Sequence, residues 1–460
     1  MISSSFGKLY NLVEIRLKTA HIIEKRVTGF KMQNQEKLLE EIRNLLKNYF
    51  KELPGNSRYK VPLMSRLYDE NEVIEVIETL MHPERLTLNA SGDLKTYRFE
   101  DKWANFIGTK NGIMVNSGSS ANLVAFYVLT NPSIENKINF GDEVITTALT
   151  WGTSVTPLYA LGLKPIFVDA NLEDYSIDTK KIEAAITPKT KAILAVHLLG
   201  FPCNMDEIMR IAKKHNLFVI EDCCESHGAE WNGKKVGSFG DISTFSFYIS
   251  HHITTIEGGM VMTNNDDYAE LARIIRSQGV MRNVKSQKYK AEINSRYPEI
   301  DPRFLFANTG YNFRPTEMEG SFGIVQLQRF DEFFRKREIN ASFFTTELDK
   351  YSKYLSLPKV RSDSRAAWFS YPIFVKKTAP FRKEELVDFL ESKGIETRPI
   401  MAGNFTRQPA AYLYDFSISG GLVNTEQIHS NAFLIGTHAG IGEEERSYVA
   451  SAFNEFFKGY

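Results

Sequence analysis

The sequence predicts an α/β protein, with a large, mostly parallel sheet followed by a smaller C-terminal α+β unit. Three observations predict it. First, Pro165–Val168, Ala192–Val196 and Leu217–Ile220 are short apolar runs bounded by polar turns, the pattern of strands covered on both faces. Second, Met205, Ile208, Ile211 and Ala212 recur at helical spacing between two of those runs, and Lys213, Lys214 and His215 close the helix where cations suit its dipole. Strand, helix, strand at this spacing calls for parallel pairing. Third, beyond about residue 330 the pattern changes to a long helix over 330–351, an apolar strand near 368–375, a helix over 383–393 and a terminal helix over 443–457.

Three segments result: a helical extension over 1–59, a large domain over 60–329 and a small domain over 330–460. Residues 1–31 carry a weak amphipathic pattern that ends near Gly29. Leu38, Leu39, Ile42, Leu45, Leu46 and Tyr49 then mark a second helix, which Pro54-Gly55 stops. Met32 opens this second pattern and is expected to be a start of translation, with 1–31 as an upstream extension. Residues 280–310 are polar and irregular and read as a long loop that is functional or mobile rather than a simple connection.

Composition narrows the function classes. The 56 basic and 56 acidic residues cancel, so no global field recruits nucleic acid or an anionic membrane. An anionic ligand must be held locally. No run approaches the roughly 20 apolar residues of a membrane span. The three cysteines, two of them adjacent at 223 and 224, do not form a disulfide framework, and the expected location is a reducing cytoplasm.

Asn116-Ser-Gly-Ser-Ser-Ala-Asn122 follows a predicted strand and opens a helix, where backbone N–H groups suit a phosphate. By itself it reads equally as a tight turn with a cap. Trp151, at the end of the strand Val144–Leu149, is either a core tryptophan or a stacking ring. Asp222 closes a predicted parallel strand, the position at which open sheets bind ligands; it also reads as a turn aspartate. His227 reads best as a structural residue.

The stretch Ser246-Phe-Tyr-Ile-Ser-His-His-Ile-Thr-Thr-Ile-Glu-Gly-Gly259 resembles the cofactor-lysine segment of the DegT/StrS sugar-nucleotide aminotransferases, with His251 in place of the lysine. That replacement is similar to the sugar 3-dehydratase branch of the family, and the likeness covers about residues 60–460. It implies the pyridoxal-phosphate (PLP) dependent aspartate aminotransferase fold, fold type I, with a seven-stranded type of sheet. It also implies that Gly118, Ser119 and Ser246 hold the cofactor phosphate, that Trp151 stacks on the ring, that Asp222 faces its nitrogen and that Glu225 lies beside it.

Gly310-Tyr-Asn-Phe-Arg-Pro315 resembles the segment that reaches across a homodimer, with Asn312 on the neighbouring phosphate. Arg314 pairs there with an anion or with the surface. The segments around Arg398 and Arg407 resemble those bordering the sugar nucleotide, where both would meet its diphosphate; solvated surface arginines are the competing reading. His252 is expected to be structural.

Histidine confines the chemistry to proton transfer. With an ordinary pKa of roughly 6.5 against 10.4 for lysine, an imidazole is largely neutral at pH 7 and serves as a general base. The resemblance therefore implies 3-deoxygenation of a nucleotide-linked 4-keto-6-deoxyhexose, with GDP-4-keto-6-deoxymannose as the expected substrate. Glutamate would convert PLP to pyridoxamine phosphate (PMP), and His251 would act as the base.

The cysteine-free stretch after Arg276-Ser-Gln-Gly279 leaves Cys224 as the one match to a cluster ligand, and a cluster needs about four. No iron–sulfur cluster is expected. The rival readings are a CDP-4-keto-6-deoxyglucose dehydrase with an external reductase, a sugar aminotransferase, and a non-catalytic relative that binds sugar nucleotides.

Overall fold

Strands that are apolar on both faces must be covered on both, and this requirement organises the fold. The computed structural model describes residues 35–52, 57–88 and 93–460; the helical pattern of 1–31 and the start expected at Met32 lie outside them. α1 (Gln35–Glu52) buries Leu38 and Ile42 against Ile74 of α2 (Glu70–Leu80). Asp69 and Glu72 close a capping box that starts α2.

α3 (Lys95–Ile107) leads into β1 (Asn111–Val115) and α4 (Gly118–Leu129). β2 (Glu143–Thr147), α5 (Gly152–Ala160), β3 (Lys164–Val168), β4 (Thr190–Val196), α6 (Met205–His215) and β5 (Phe218–Asp222) follow in alternation. α6 ends where expected, with Asn216 left-handed just past its three basic residues. A hairpin of β6 (Glu230–Trp231) and β7 (Lys234–Lys235) then precedes β8 (Ile242–Ser246), β9 (Gly259–Thr263) and α7 (Asp266–Arg276). In the large sheet, β2, β3, β4, β5 and β8 run parallel, whereas β9 lies antiparallel between β1 and β8.

The stretch read as an irregular loop contains α8 (Gln287–Arg296), capped by Ser286. Only Ile293 of that helix is buried, in a small cluster with Ile274, Met281, Val284 and Leu305. One apolar contact leaves no periodic signal in the sequence. α9 (Glu317–Gln328) and α10 (Phe330–Leu348) come next.

The C-terminal part contributes β10 (Leu355–Ser356), β11 (Ser364–Arg365), β12 (Tyr371–Val375), α11 (Lys383–Ser392), β13 (Arg398–Pro399), β14 (Ser417–Ile418), α12 (Val423–Asn431), β15 (Ala432–Ile435) and α13 (Glu443–Phe457). β10, β12, β15 and β13 form a second, antiparallel sheet. β14 does not join it. Instead, β14 pairs in parallel with β3 and makes the eighth strand of the large sheet.

Beside that junction the buried Asp169 accepts the Asn424 and Thr425 N–H groups at 3.0 and 2.8 Å and the Lys181 ammonium at 2.9 Å. A carboxylate from the large sheet thus satisfies the first turn of α12. A second tie locks α7 to α3 and β1. Glu100 Oε1 accepts Arg276 Nη1 at 2.6 Å and the Met114 N–H at 2.9 Å, and both charged side chains are fully buried. Among the described residues, no helix is long and apolar enough to cross a membrane.

Candidate active site

Parallel strands open a crevice at their carboxyl ends. Here β1, β4, β5 and β8 end beside one cavity of about 310 Å³, which Gly118, Ser119, Trp151, Asp222, Glu225, Ser246 and His251 all line. Arg314, Arg398 and Arg407 do not line this cavity, and neither does Asn312, which is expected at the site of a neighbouring copy. Asn312 bridges to Ser277 and accepts Arg314 Nε at 3.0 Å. Arg398 pairs with Glu396 at 2.7 Å, and Arg407 pairs with Glu426 at 2.5 Å.

One end of the cavity is built for an anion. Ser117 caps α4 by accepting the Ser120 N–H at 3.0 Å, so Gly118 and Ser119 carry first-turn N–H groups that have no acceptor within the helix. Gly118 is packed so closely that an added Cβ would lie 2.5 Å from Ser246 Cβ and 2.9 Å from Ser246 Oγ. A side chain there would push the hydroxyl away from the helix end. Gly259 serves the same packing from behind, since a Cβ on it would strike the Ser117 carbonyl oxygen.

Asp222 stands at the end of β5 with its carboxylate clamped. Oδ2 accepts Asn122 Nδ2 at 2.9 Å and the Ser154 hydroxyl at 2.7 Å, and Oδ1 accepts the Cys224 N–H at 3.1 Å. Glu225 is buried and accepts the Leu199 N–H at 2.8 Å. Burial, which outweighs that hydrogen bond, pushes its pKa up to about 8, so at neutral pH it is a carboxylic acid able to donate. Trp151, half-exposed, precedes the first turn of α5 and contributes an aromatic face.

His251 sits in the loop between β8 and β9, its N–H bonded to the Tyr248 carbonyl at 3.0 Å. The Phe369 ring packs 5.2 Å from it and the His227 ring 5.9 Å. Burial, and then the charge of Arg337, push its pKa down to about 3. The imidazole is therefore a free base across the physiological range, with Nδ1 buried and without a hydrogen-bond partner. Arg337 is itself fully buried and donates to the Trp368 and Phe369 carbonyls at 3.1 and 2.9 Å, holding in place the segment that carries Phe369. His252 is structural, with Nε2 2.9 Å from the Ala367 carbonyl. His227 keeps its place by ring packing, 5.2 Å from Trp103.

Several lining residues carry no motif that would single them out. Asn122 and Ser154 each lie in the first turns of a helix that begins at a strand end, and an asparagine inside the apolar run of α4 is the signal that could have found the first. Phe369 and Met401 reach the cavity from the C-terminal part, a placement that no local pattern encodes.

An anion cup, a clamped carboxylate, an aromatic face and an un-ionised imidazole fit a flat, phosphorylated, nitrogen-containing ring with a proton-transfer group beside it. The comparisons agree. Residues 69–454 match the profile of the DegT/DnrJ/EryC1/StrS aminotransferase family. The chain is 39% identical over 367 residues to the lipopolysaccharide biosynthesis protein RfbH of Salmonella typhimurium, which covers 78% of this chain and 84% of that protein. It is 37% identical over 381 residues to the GDP-4-keto-6-deoxy-D-mannose 3-dehydratase of Yersinia pseudotuberculosis, covering 82% and 94% respectively. A solved GDP-4-keto-6-deoxymannose-3-dehydratase with a trapped PLP–glutamate geminal diamine superposes with a TM-score of 0.78 at 32% identity, over 85% of this chain and 100% of that one.

Proposed function

The chain belongs to the DegT/DnrJ/EryC1/StrS aminotransferase family, and from that premise we propose that it is a PLP-dependent nucleotide-sugar 3-dehydratase. Its reaction is the C3 deoxygenation of a nucleotide-linked 4-keto-6-deoxyhexose, with GDP-4-keto-6-deoxymannose as substrate and glutamate as amino donor. One observation carries the dehydratase reading within the family. The cavity that accommodates the cofactor has His251 in its wall and no lysine among its lining residues, so a proton can be moved there but no covalent amine link can form. The 3,6-dideoxy product suits the assembly of lipopolysaccharide O-antigen, and a cytoplasmic site of action suits a nucleotide-sugar substrate.

The bound cofactor, as PLP and PMP, carries the amino group and supplies an electron sink. The chain's own residues do the rest. Gly118, Ser119 and Ser246 take the phosphate, Trp151 covers the ring, and Asp222 faces the ring nitrogen. Glu225 donates a hydrogen bond as an acid. His251 takes a proton and returns it, and because it is neutral it needs no prior deprotonation. Arg398 and Arg407 are assigned to the diphosphate, for which they would exchange their present glutamate partners, and Arg314 to an anionic group of the substrate.

The working enzyme is proposed to be a homodimer, in which Asn312 meets the cavity of a second copy. The exposed Phe304, Phe306 and Tyr311 near it give that contact apolar surface. Mixing His251 and Asn312 variants should restore activity through hybrid dimers whose one intact site draws on both chains; no restoration would count against shared sites.

The deciding experiment follows the absorbance of the PLP-loaded protein on addition of glutamate, then of GDP-4-keto-6-deoxymannose, with ammonia measured by a coupled assay. A PMP band followed by sugar-dependent ammonia release is the expected result. A PMP band without ammonia would redirect the search to another nucleotide sugar or a reductase, and no response to glutamate would sink the reading.

A further inference from the structure

The carboxylate of Asp222 is held from a greater depth than its direct contacts suggest. A carboxylate offers roughly four acceptor positions. Three hydrogen bonds reach it here, from Asn122 of α4, Ser154 of α5 and the backbone N–H of Cys224 in the turn after β5, and the Cys224 thiol also lies against it. Asn122 is in turn fixed by Thr244 of β8, whose hydroxyl donates to Asn122 Oδ1 at 2.6 Å. Asn122 and Thr244 are 2% and 0% exposed, so no solvent competes for these bonds.

With Asn122 Nδ2 on Asp222 Oδ2 and the Thr244 hydroxyl on Asn122 Oδ1, the asparagine turns its NH₂ toward Asp222 and its oxygen toward Thr244. The Thr244 hydroxyl then donates to the amide oxygen at 2.6 Å, a much closer approach than its 3.4 Å to the Glu221 carbonyl. A buried amide is costly unless both of its ends are satisfied. This one lies between Ala121 and the run Leu123-Val-Ala-Phe126, where an apolar side chain would otherwise serve packing better. Its retention is explained if both ends work.

We propose that Thr244 and Asn122 form a positioning relay that fixes the rotation of the Asp222 carboxylate, the group with which the ring nitrogen of the bound cofactor would pair. The proposal rests on the PLP reading. Thr244 lies outside the cavity lining, Asn122 is part of that lining, and both act through Asp222.

The test uses the full chain reconstituted with PLP labelled with ¹⁵N in the ring, whose chemical shift reports the hydrogen bond to Asp222. Thr244→Val removes the hydroxyl at nearly constant shape. It should move the ¹⁵N resonance and weaken PLP binding about tenfold, the scale of one lost hydrogen bond. Thr244→Ser, which keeps the hydroxyl, should restore both, and Thr244→Val should add nothing in an Asn122→Leu background. Thr244→Ala repeats the comparison if the valine variant loses its far-ultraviolet circular dichroism. A wild-type ¹⁵N shift and affinity in Thr244→Val, or effects of the two substitutions that simply add, would overturn the relay. Failure of the wild-type chain to bind PLP would instead overturn the cofactor reading, so the two failures are separable.

Discussion

Glu225 gives the sharpest quantitative prediction. Burial raises its pKa from an ordinary 4.5 to about 8. Between those values the folded chain holds a proton that the unfolded chain has lost, so stability must fall as pH rises through that window. The slope is about 1.4 kcal/mol per pH unit for one group. Replacing Glu225 with Gln keeps a carbonyl oxygen for the Leu199 N–H and removes the titration. Urea unfolding of the cofactor-free protein at about pH 5.5 and about pH 7.5 then compares the two chains, and wild type should lose roughly 2 to 3 kcal/mol more than Glu225→Gln over the interval. All other titrating groups are common to both and cancel in the difference. Parallel stability curves would mean that Glu225 is ionised in the folded state and does not act as a donor in the site.

His251→Asn should leave PLP binding intact and lower turnover by about 10²–10⁴-fold. In the wild type the base form of His251 is present above its pKa of about 3 and lost below it, so an acid limb near pH 6.5 that disappears in His251→Asn would overturn the low pKa while keeping His251 as the base, whereas unchanged turnover in His251→Asn would refute the base assignment. Glu100→Gln leaves the buried Arg276 guanidinium without its counter-charge and should cost about 3–5 kcal/mol in denaturant unfolding; a loss below about 1 kcal/mol would remove the pair from the account of stability. Asp169→Asn should destabilise the chain at neutral pH. Burial alone would raise the Asp169 pKa, but the Asn424 and Thr425 N–H groups and Lys181 together hold it below its ordinary value. Its stabilisation is therefore present above about pH 4 and lost as pH falls further, so the gap between variant and wild type should close in acid.

The legible parts of this protein are those in which one short stretch meets the whole requirement. β3, β4 and β5 could be read because strands buried on both faces are apolar throughout, and α6 because its buried stripe and its basic end lie in the same eleven residues. Asp222, Ser246 and His251 were legible as strand-end or loop residues within a dense motif. α8 was not, since a helix that buries a single isoleucine has the composition of a loop. Phe369 and Met401 are assigned to the cavity by tertiary packing, through contacts such as the Phe369 N–H on the Leu199 carbonyl at 3.0 Å. Asn122 lay inside the motif that named Gly118 and Ser119, yet its partner Asp222 is 100 residues away, a pairing that sequence spacing does not encode. Motif likeness also set Arg398 and Arg407 beside the nucleotide, whereas local charge couples them to Glu396 and Glu426.

The pairing of β14 with β3 has a consequence for biosynthesis. Thr425 meets Asp169 across 256 residues of chain, and β14 meets β3 across a similar span. At a translation rate of about 5–20 residues per second, the outer edge of β3 waits on the order of ten to fifty seconds for its partner to leave the ribosome. An unpaired edge invites pairing with other nascent chains. Pro165, on that strand, has no N–H to offer a stray partner, so the second residue of β3 blunts the edge while the remainder of the protein is made.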